Sequence, residues 1–148
     1  MSTQPIGAWG VEVTVPPEAT SKHDAPNRHH WIQVPGAELT LRLFDRPAPS
    51  FDDALRSWKA GENLMTFGEG VTEHGAFYAL HSFELVDGRS WDAQNFHFRF
   101  RVTRVHAILP IDDRHHVECT SYIDRSVAAD DDTLAAVAQI CKSLRRAR

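Results

Sequence analysis

The sequence lacks most of the features that assign a chain directly to a compartment or a chemistry. It contains two cysteines, Cys119 and Cys141, and no C-x-x-C spacing. We therefore expect neither a structural zinc site nor a disulfide framework, and we interpret both cysteines as small core hydrophobic residues. No metal and no other cofactor is expected.

Long hydrophobic runs are also missing. The first ten residues contain no basic region followed by an apolar stretch, so the sequence predicts no signal peptide. No apolar stretch approaches the ~20 residues that a membrane-spanning helix needs. We therefore expect a cytoplasmic protein that does not bind a membrane.

The chain has no excess of positive charge. Its formal net charge is −4, whereas proteins that bind nucleic acids usually carry a basic excess. The basic residues clustered at the C-terminus suit the negative end of a helix dipole. Nucleic acid is therefore not an expected partner.

Motifs of the common enzyme classes are absent as well. Ser82 follows His81, but it lies in HSFE rather than in a G-x-S-x-G nucleophile elbow. Cys119 lies near His116 in sequence but on the apolar side of its predicted strand, so we expect it to be buried and unreactive. Gly68-Glu69-Gly70 is too short for a phosphate-binding loop and precedes no helix.

Alternating apolar and polar residues dominate what is present. In the stretch 93–124, two alternating segments flank a turn at Asp112–Asp113. This pattern predicts a long antiparallel hairpin at the centre of a sheet. The apolar positions change from even to odd after Val102, which predicts a β-bulge near Thr103 and Arg104.

Further strands are predicted on both sides of a first helix. Before it, strands are predicted at 11–15, 30–34 and 39–43, and the polar stretch 18–27 is predicted to be a loop. After it, a strand interrupted by a turn or bulge at Gly68 and Gly70 leads through a connection at 72–75 to a strand over 76–85. Asp87–Gly88 is typical of a tight turn.

Two amphipathic helices complete the pattern. Ser50 is the expected N-cap of the first, which carries an apolar stripe from Phe51 to Trp58 and ends near Gly61. The second follows the aspartates at 130–132 and buries a stripe that ends at Leu144.

The order β-β-β-α-β-β-β-β-α predicts an α+β fold in one domain, residues 1–148. We expect a mostly antiparallel twisted sheet of about six or seven strands with two helices.

This order resembles the Mog1/PsbP-like fold, and within it the bacterial DcrB-type domains. The resemblance is carried by VEVTVPP, ELTLRLF, SFDDALRSW, EHGAFYALHSFE and AVAQICKSLR, which span nearly the whole chain. It implies a binding module, since such domains include adaptor chaperones of secreted effectors, GTPase-binding factors and photosystem accessory proteins. It implies a protein partner, for example a secretion-system effector, and no catalytic residues.

The histidine content is the one unusual feature of the composition, with nine histidines. His97 and His116 are expected on one sheet face across the hairpin, with Glu118 two residues along, which gives a conceivable set of three metal ligands. However, the predicted face also carries Arg99 and Arg101, whose charges disfavour a bound cation. We therefore favour solvent-facing histidines over a metal site.

The aromatic residues point to binding. Most should lie in the core, but tryptophans near strand ends would anchor a partner if exposed. The partner-binding residues that we predict are Trp9, Trp91, His97, Arg99, Arg101, His116 and Glu118. A homodimer through a sheet edge or face is a further expectation.

Three functions remain open on the sequence alone. We favour a non-enzymatic protein-binding module that acts as an adaptor, a chaperone or an immunity-type partner of a secreted effector. The alternative is a small-molecule- or metal-binding enzyme that uses His97, His116 and Glu118. A structural or signalling accessory domain cannot be separated from the first hypothesis by sequence.

Overall fold

A computed structural model of the chain describes residues 1–87, 98–124 and 131–148. The elements in these residues are β1 (Ser2–Pro5), β2 (Val11–Val15), β3 (Thr20–Asp24), β4 (His29–Val34), β5 (Ala37–Phe44), α1 (Phe51–Trp58), β6 (Glu62–Val71), β7 (Phe77–Asp87), β8 (Phe98–Asp112), β9 (His115–Asp124), α2 (Asp131–Lys142) and β10 (Arg145–Arg146). The predicted α+β class is confirmed.

The main sheet has seven strands in the order β3-β4-β5-β9-β8-β7-β6, and all neighbours are antiparallel. The predicted central hairpin is β8 and β9, and its turn at Asp112 is closed by a hydrogen bond from the Arg114 N–H to Oδ1. A smaller sheet contains β1, β2 and β10. The mostly antiparallel sheet is therefore confirmed.

Three short strands, β1, β3 and β10, are missing from the predicted order. β3 lies in the stretch predicted to be a loop, pairs with β4 and forms one edge of the main sheet. Four of its five residues are exposed. A strand that is exposed to solvent on both faces does not alternate apolar and polar residues. The pairing of β3 with β4 could therefore not be predicted from the sequence pattern.

The β-bulge predicted near Thr103 and Arg104 is wrong. β8 keeps one register with β7 and with β9 through this region, and the irregularity in its pairing with β9 lies between Pro110 and Asp112. The apolar positions change phase because β8 is buried on both faces, with Val102 on one side and Val105 on the other. In β6, by contrast, the irregularity predicted near Gly68 is confirmed.

The two faces of the main sheet are covered differently. On one face, α2 and the small sheet build the larger core, whose fully buried members include Val13, Leu41, Val105, Val117 and Ile140. On the other face, α1 packs Ala54 and Trp58 against Phe77, Ala79 and Ile108. We call these the α2 side and the α1 side. Neither helix has the length and hydrophobicity that a bilayer-spanning segment needs, among the residues described.

The interpretation of Cys119 and Cys141 as unlinked core residues is wrong. Both are fully buried, as expected, but they form a disulfide that joins β9 to α2 with a Cα–Cα distance of 5.5 Å. The residues are 22 positions apart and belong to different kinds of element. The sequence spacing of the two cysteines therefore could not predict the disulfide, because the bond depends on how α2 docks on the sheet.

The end of α1 differs from the prediction in one detail. Ser50 is the N-cap, as predicted, and its hydroxyl accepts a hydrogen bond from the Asp53 N–H at 3.1 Å. The helix ends at Trp58, before Gly61. Gly61 instead allows a close approach, because a Cβ there would lie 2.9 Å from Cβ of Phe83.

Candidate functional site

The α1 side of β4, β5 and β9 forms a cleft that neither helix covers. Leu39, Leu41 and Leu43 point to the α2 side, so the alternate residues of β5 point into this cleft. It has a volume of about 450 Å³ and is lined by His29, Glu38, Thr40, Arg42, Phe44, Glu118, Thr120, Ser121 and Tyr122. We call these residues the open face.

His116 and Glu118 meet at one end of the open face. The His116 ring is buried, with Nδ1 2.9 Å from the backbone oxygen of Arg46 and Nε2 3.2 Å from Oε2 of Glu118. A backbone carbonyl oxygen only accepts hydrogen bonds, so Nδ1 donates to the oxygen of Arg46. The other ring nitrogen contacts the carboxylate of Glu118, and this contact orients Glu118.

Phe44 connects this pair to two arginines. Its ring stacks on the His116 ring, with centroids 5.0 Å apart and an interplanar angle of 11°. The guanidinium carbons of Arg42 and Arg46 lie 4.9 Å and 4.6 Å from the Phe44 centroid, within the range of cation–π contacts. Sequence reasoning missed these three residues, although their spacing in Arg42-Leu-Phe44-Asp-Arg46 places them on one side of an extended segment.

A second cleft adjoins the open face. Its volume is about 360 Å³, and its walls come from the connection between β5 and α1, from α1 itself and from the sheet. Its lining residues are Arg46, Pro47, Pro49, Asp53, Ala54, Ser57, Trp58, Ile108, His116 and Glu118. Glu118 therefore lines both clefts and is accessible from either.

The other predicted partner-binding residues do not converge on the open face. Arg101 lies on the α2 side, where Nη1 donates to Oγ of Ser82 at 2.7 Å. The prediction that Arg101 shares a face with His116 and Glu118 is therefore wrong. The expected bulge is absent, so the alternation of β8 keeps Arg101 on the side of Val105.

The remaining predicted residues lie elsewhere or are not described. Trp9 is half-buried, and its ring centroid lies 5.5 Å from that of His23. Arg99 is described only by its backbone, which pairs with Val86. Trp91 and His97 fall outside the described residues. A role for any of these residues in binding stays a prediction.

The structure brings together two of the three residues that the enzyme alternative requires. His116 and Glu118 converge, but His97 lies outside the described residues, so the predicted triad stays a prediction. Within residues 1–87, 98–124 and 131–148, no group of three or more His, Cys, Asp or Glu is placed to hold a metal ion. Cys119 is not available as a nucleophile, because its sulfur is bonded to Cys141.

Two other histidines form a buried stack beneath α1. The His106 ring lies parallel to Trp58 with centroids 4.8 Å apart, and the His81 ring follows at 5.7 Å. Among the described residues, His81 and Nε2 of His106 make no hydrogen bond of ordinary geometry. Burial and then the Arg104 charge lower the pKa of His106 to about 3, and the same two causes lower the pKa of His81. Both rings are therefore neutral core residues.

The basic residues at the C-terminus are mostly engaged inside the chain. α2 ends at Lys142, and Arg145 and Arg146 form β10 rather than the last turn of a helix. Nε of Arg145 lies 3.0 Å from Oε1 of Glu12, and Arg146 donates to backbone oxygens of the hairpin turn. The expected helix-dipole role therefore applies to Lys142 alone among these residues.

Comparison with known proteins establishes the fold. No protein-family model matches the chain, and no curated protein matches it. The Ran-binding protein Mog1p of Saccharomyces cerevisiae has a TM-score of 0.53 at 9% identity, covering 99% of this chain and 96% of Mog1p. A protein from Bacteroides thetaiotaomicron has a TM-score of 0.50 at 10% identity, covering 94% of this chain. This chain spans only 46% of the length of that protein.

A third structure is LpqN, which is involved in cell envelope biogenesis of Mycobacterium tuberculosis. It has a TM-score of 0.48 at 12% identity, covering 99% of this chain and 90% of LpqN. The likeness to Mog1p shows that the chain has the Mog1/PsbP-like fold, as the resemblance predicted. At these identities the likeness concerns the fold alone, and the DcrB-type assignment within it stays a prediction.

Proposed function

We propose that the chain is a protein-binding module whose partner docks on the open face. The observation that carries this proposal is that the open face, which neither helix covers, combines exposed aromatic and arginine side chains. Tyr122 is 58% exposed there, and Arg42 is exposed beside Phe44. Tyrosine and arginine are enriched among the residues that contribute most to protein–protein affinity.

A related fold is compatible with this proposal. Mog1p is a Ran-binding protein and therefore binds another protein. For this chain we propose protein binding without catalysis, because His116 and Glu118 satisfy each other and the open face offers no nucleophile poised beside a base. The finer role, as an adaptor, chaperone or immunity-type partner of a secreted effector, is part of the same proposal.

The disulfide bears on where the module acts. Disulfides persist in oxidising compartments and are rare in the reducing cytosol. The bond between Cys119 and Cys141 therefore supports an oxidising compartment, whereas the sequence alone favoured the cytoplasm. Acid quenching of the cells, followed by alkylation of the denatured protein with a mass-shifting maleimide, separates the two: no added mass without reductant supports the oxidising compartment, and two added labels support the cytoplasm.

The binding proposal is tested in two stages. The tagged chain is cross-linked in its native host, the captured protein is identified and purified, and its affinity is measured by calorimetry. Thr120→Arg fills the centre of the open face without removing a core contact, and Val71→Ala alters a residue that is 60% exposed at the opposite edge of the sheet.

We expect Thr120→Arg to weaken binding at least tenfold and Val71→Ala to bind like the wild type. Wild-type affinity for Thr120→Arg, with circular dichroism showing that the variant is folded, would overturn the proposal.

A further inference from the structure

Two arginines have no acidic partner among the described residues: Arg42 in the open face, and Arg46 in the adjoining second cleft. Arg42 and Arg46 are both exposed, and both guanidinium groups rest on the Phe44 ring at 4.9 Å and 4.6 Å from its centroid. Within the part of the chain that the structure describes, neither makes an ion pair. Stacking on one ring holds the two cations near each other and leaves their N–H groups available.

Two acidic side chains nearby already contact other side chains. Asp45, which lies between the two arginines in sequence, pairs with Arg28 and with His115. Glu118 is opposite Arg42 in the β5–β9 register, but its carboxylate pairs with His116 at 3.2 Å. Glu38 is four residues from Arg42 along β5, which corresponds to ~13 Å in a strand. The arginines therefore give this part of the surface a local positive charge.

The chemistry of the surface selects a class of ligand. Guanidinium groups donate paired hydrogen bonds to carboxylates in a fixed planar geometry. The cleft beside them follows the direction of the strands and offers the hydroxyls of Thr40 and Thr120 and the ring of Tyr122. An extended peptide has the shape for such a surface, and acidic side chains on it would complement the arginines.

We propose that Arg42 and Arg46 bind the carboxylates of an acidic, extended segment of the protein partner. This inference rests on the proposed function, since it assigns the partner chemistry of the open face. The Phe44 ring positions both guanidinium groups, and the contact with His116 holds the Glu118 carboxylate away from an ion pair with either arginine. Binding is therefore sensitive to salt, because ionic strength screens exposed charges.

The test uses two fluorescein-labelled nine-residue peptides, one alternating leucine with glutamate and one alternating leucine with glutamine. Fluorescence anisotropy is measured with the wild type, with an Arg42→Gln/Arg46→Gln double variant and with Arg56→Gln. Arg56 is a matched control, because it is an exposed arginine on α1 that pairs with Asp53 away from the open face.

We expect the wild type and Arg56→Gln to bind the glutamate peptide at least tenfold more tightly than the glutamine peptide, and the double variant to lose this preference. Equal affinity for the two peptides, or binding of neither, would overturn the inference.

Failure of this inference is distinguishable from failure of the proposed function. If the purified partner binds the double variant with wild-type affinity while Thr120→Arg abolishes binding, the open face is a docking surface but its arginines do not recognise acidic groups. If Thr120→Arg leaves partner binding unchanged, the proposed function itself is wrong.

Discussion

Cys119 in β9 is bonded to Cys141 in α2, directly behind the open face. Residues alternate in a strand, so the neighbours Glu118 and Thr120 point to the α1 side while Cys119 points to the α2 side. The disulfide therefore attaches α2 to the strand that carries half of the candidate site. We expect this attachment to keep β9 in place when a partner docks.

Loss of the disulfide should destabilise the protein. For the 22-residue separation of the two cysteines, restriction of the unfolded chain corresponds to about 3 kcal/mol. A Cys119→Ala/Cys141→Ala variant keeps both positions apolar, so its free energy of unfolding, measured with urea, isolates the effect of the bond. We expect dithiothreitol to lower the stability of the wild type and to leave that of the variant unchanged. Equal stability of oxidised and reduced wild type would contradict the assignment.

Acid should destabilise the fold through its buried histidines. The pKa of His106 falls from 6.5 to about 3 because the ring is buried, and burial also lowers the pKa of His81 and of His30. These histidines bind protons more readily in the unfolded chain, so stability is fully present above pH 6.5 and decreases as the pH falls below it. His106 alone should account for about 2 kcal/mol between pH 7 and pH 5.

Urea unfolding at a series of pH values measures this dependence. His106→Phe keeps an aromatic ring against Trp58 but cannot titrate, so its stability should vary less with pH than that of the wild type. Identical pH profiles for the two proteins would show that His106 does not carry the effect.

Gly61 should not tolerate a side chain. A Cβ at this position would lie 2.9 Å from Cβ and 3.0 Å from Cγ of Phe83, which is buried and cannot move away. We expect Gly61→Ala to lower the free energy of unfolding by about 1–3 kcal/mol through overpacking. Gly68→Ala is the control, since the nearest atom would be 4.0 Å away, and it should change stability less. The contact with Phe83 has no structural importance if the two variants are equally stable.

The N-cap hydrogen bond of Ser50 stabilises the first turn of α1, the helix that forms one wall of the second cleft. The Ser50 hydroxyl accepts the Asp53 N–H at 3.1 Å, and Ser50→Ala should cost about 1 kcal/mol. Ser57 is exposed in the same helix and caps nothing, so Ser57→Ala should be neutral or slightly stabilising. Thermal unfolding of the two variants gives the comparison, and a loss at Ser57 as large as that at Ser50 would argue against the cap.

The alternation of apolar and polar residues was sufficient to predict the central hairpin, and local signals were sufficient to predict the first helix. The β8–β9 hairpin shows apolar alternation on both sides of its turn, and Ser50 and the apolar stripe of α1 are local signals, so each could be predicted without the fold. β3 could not, because an exposed edge strand lacks alternation. The bulge was predicted wrongly because a strand buried on both faces imitates a change of phase at Val102 and Val105.

The candidate site depends on contacts between distant parts of the chain. His116 meets the backbone of Arg46 across 70 residues, and Cys119 meets Cys141 only because α2 docks on the sheet. Glu118 and His116 were identified from their positions in one strand. Phe44 and its two arginines were missed, since nothing local shows that β5 lies beside β9.

Hydrogen–deuterium exchange of the chain with and without its purified partner tests the central claim most directly. The account predicts that binding slows exchange in β5 and β9, over 38–44 and 118–122, and leaves the edge strand β6 unchanged. Slower exchange confined to β6, or to the surface around Lys142 and Tyr78, with none in β5 and β9, would contradict it.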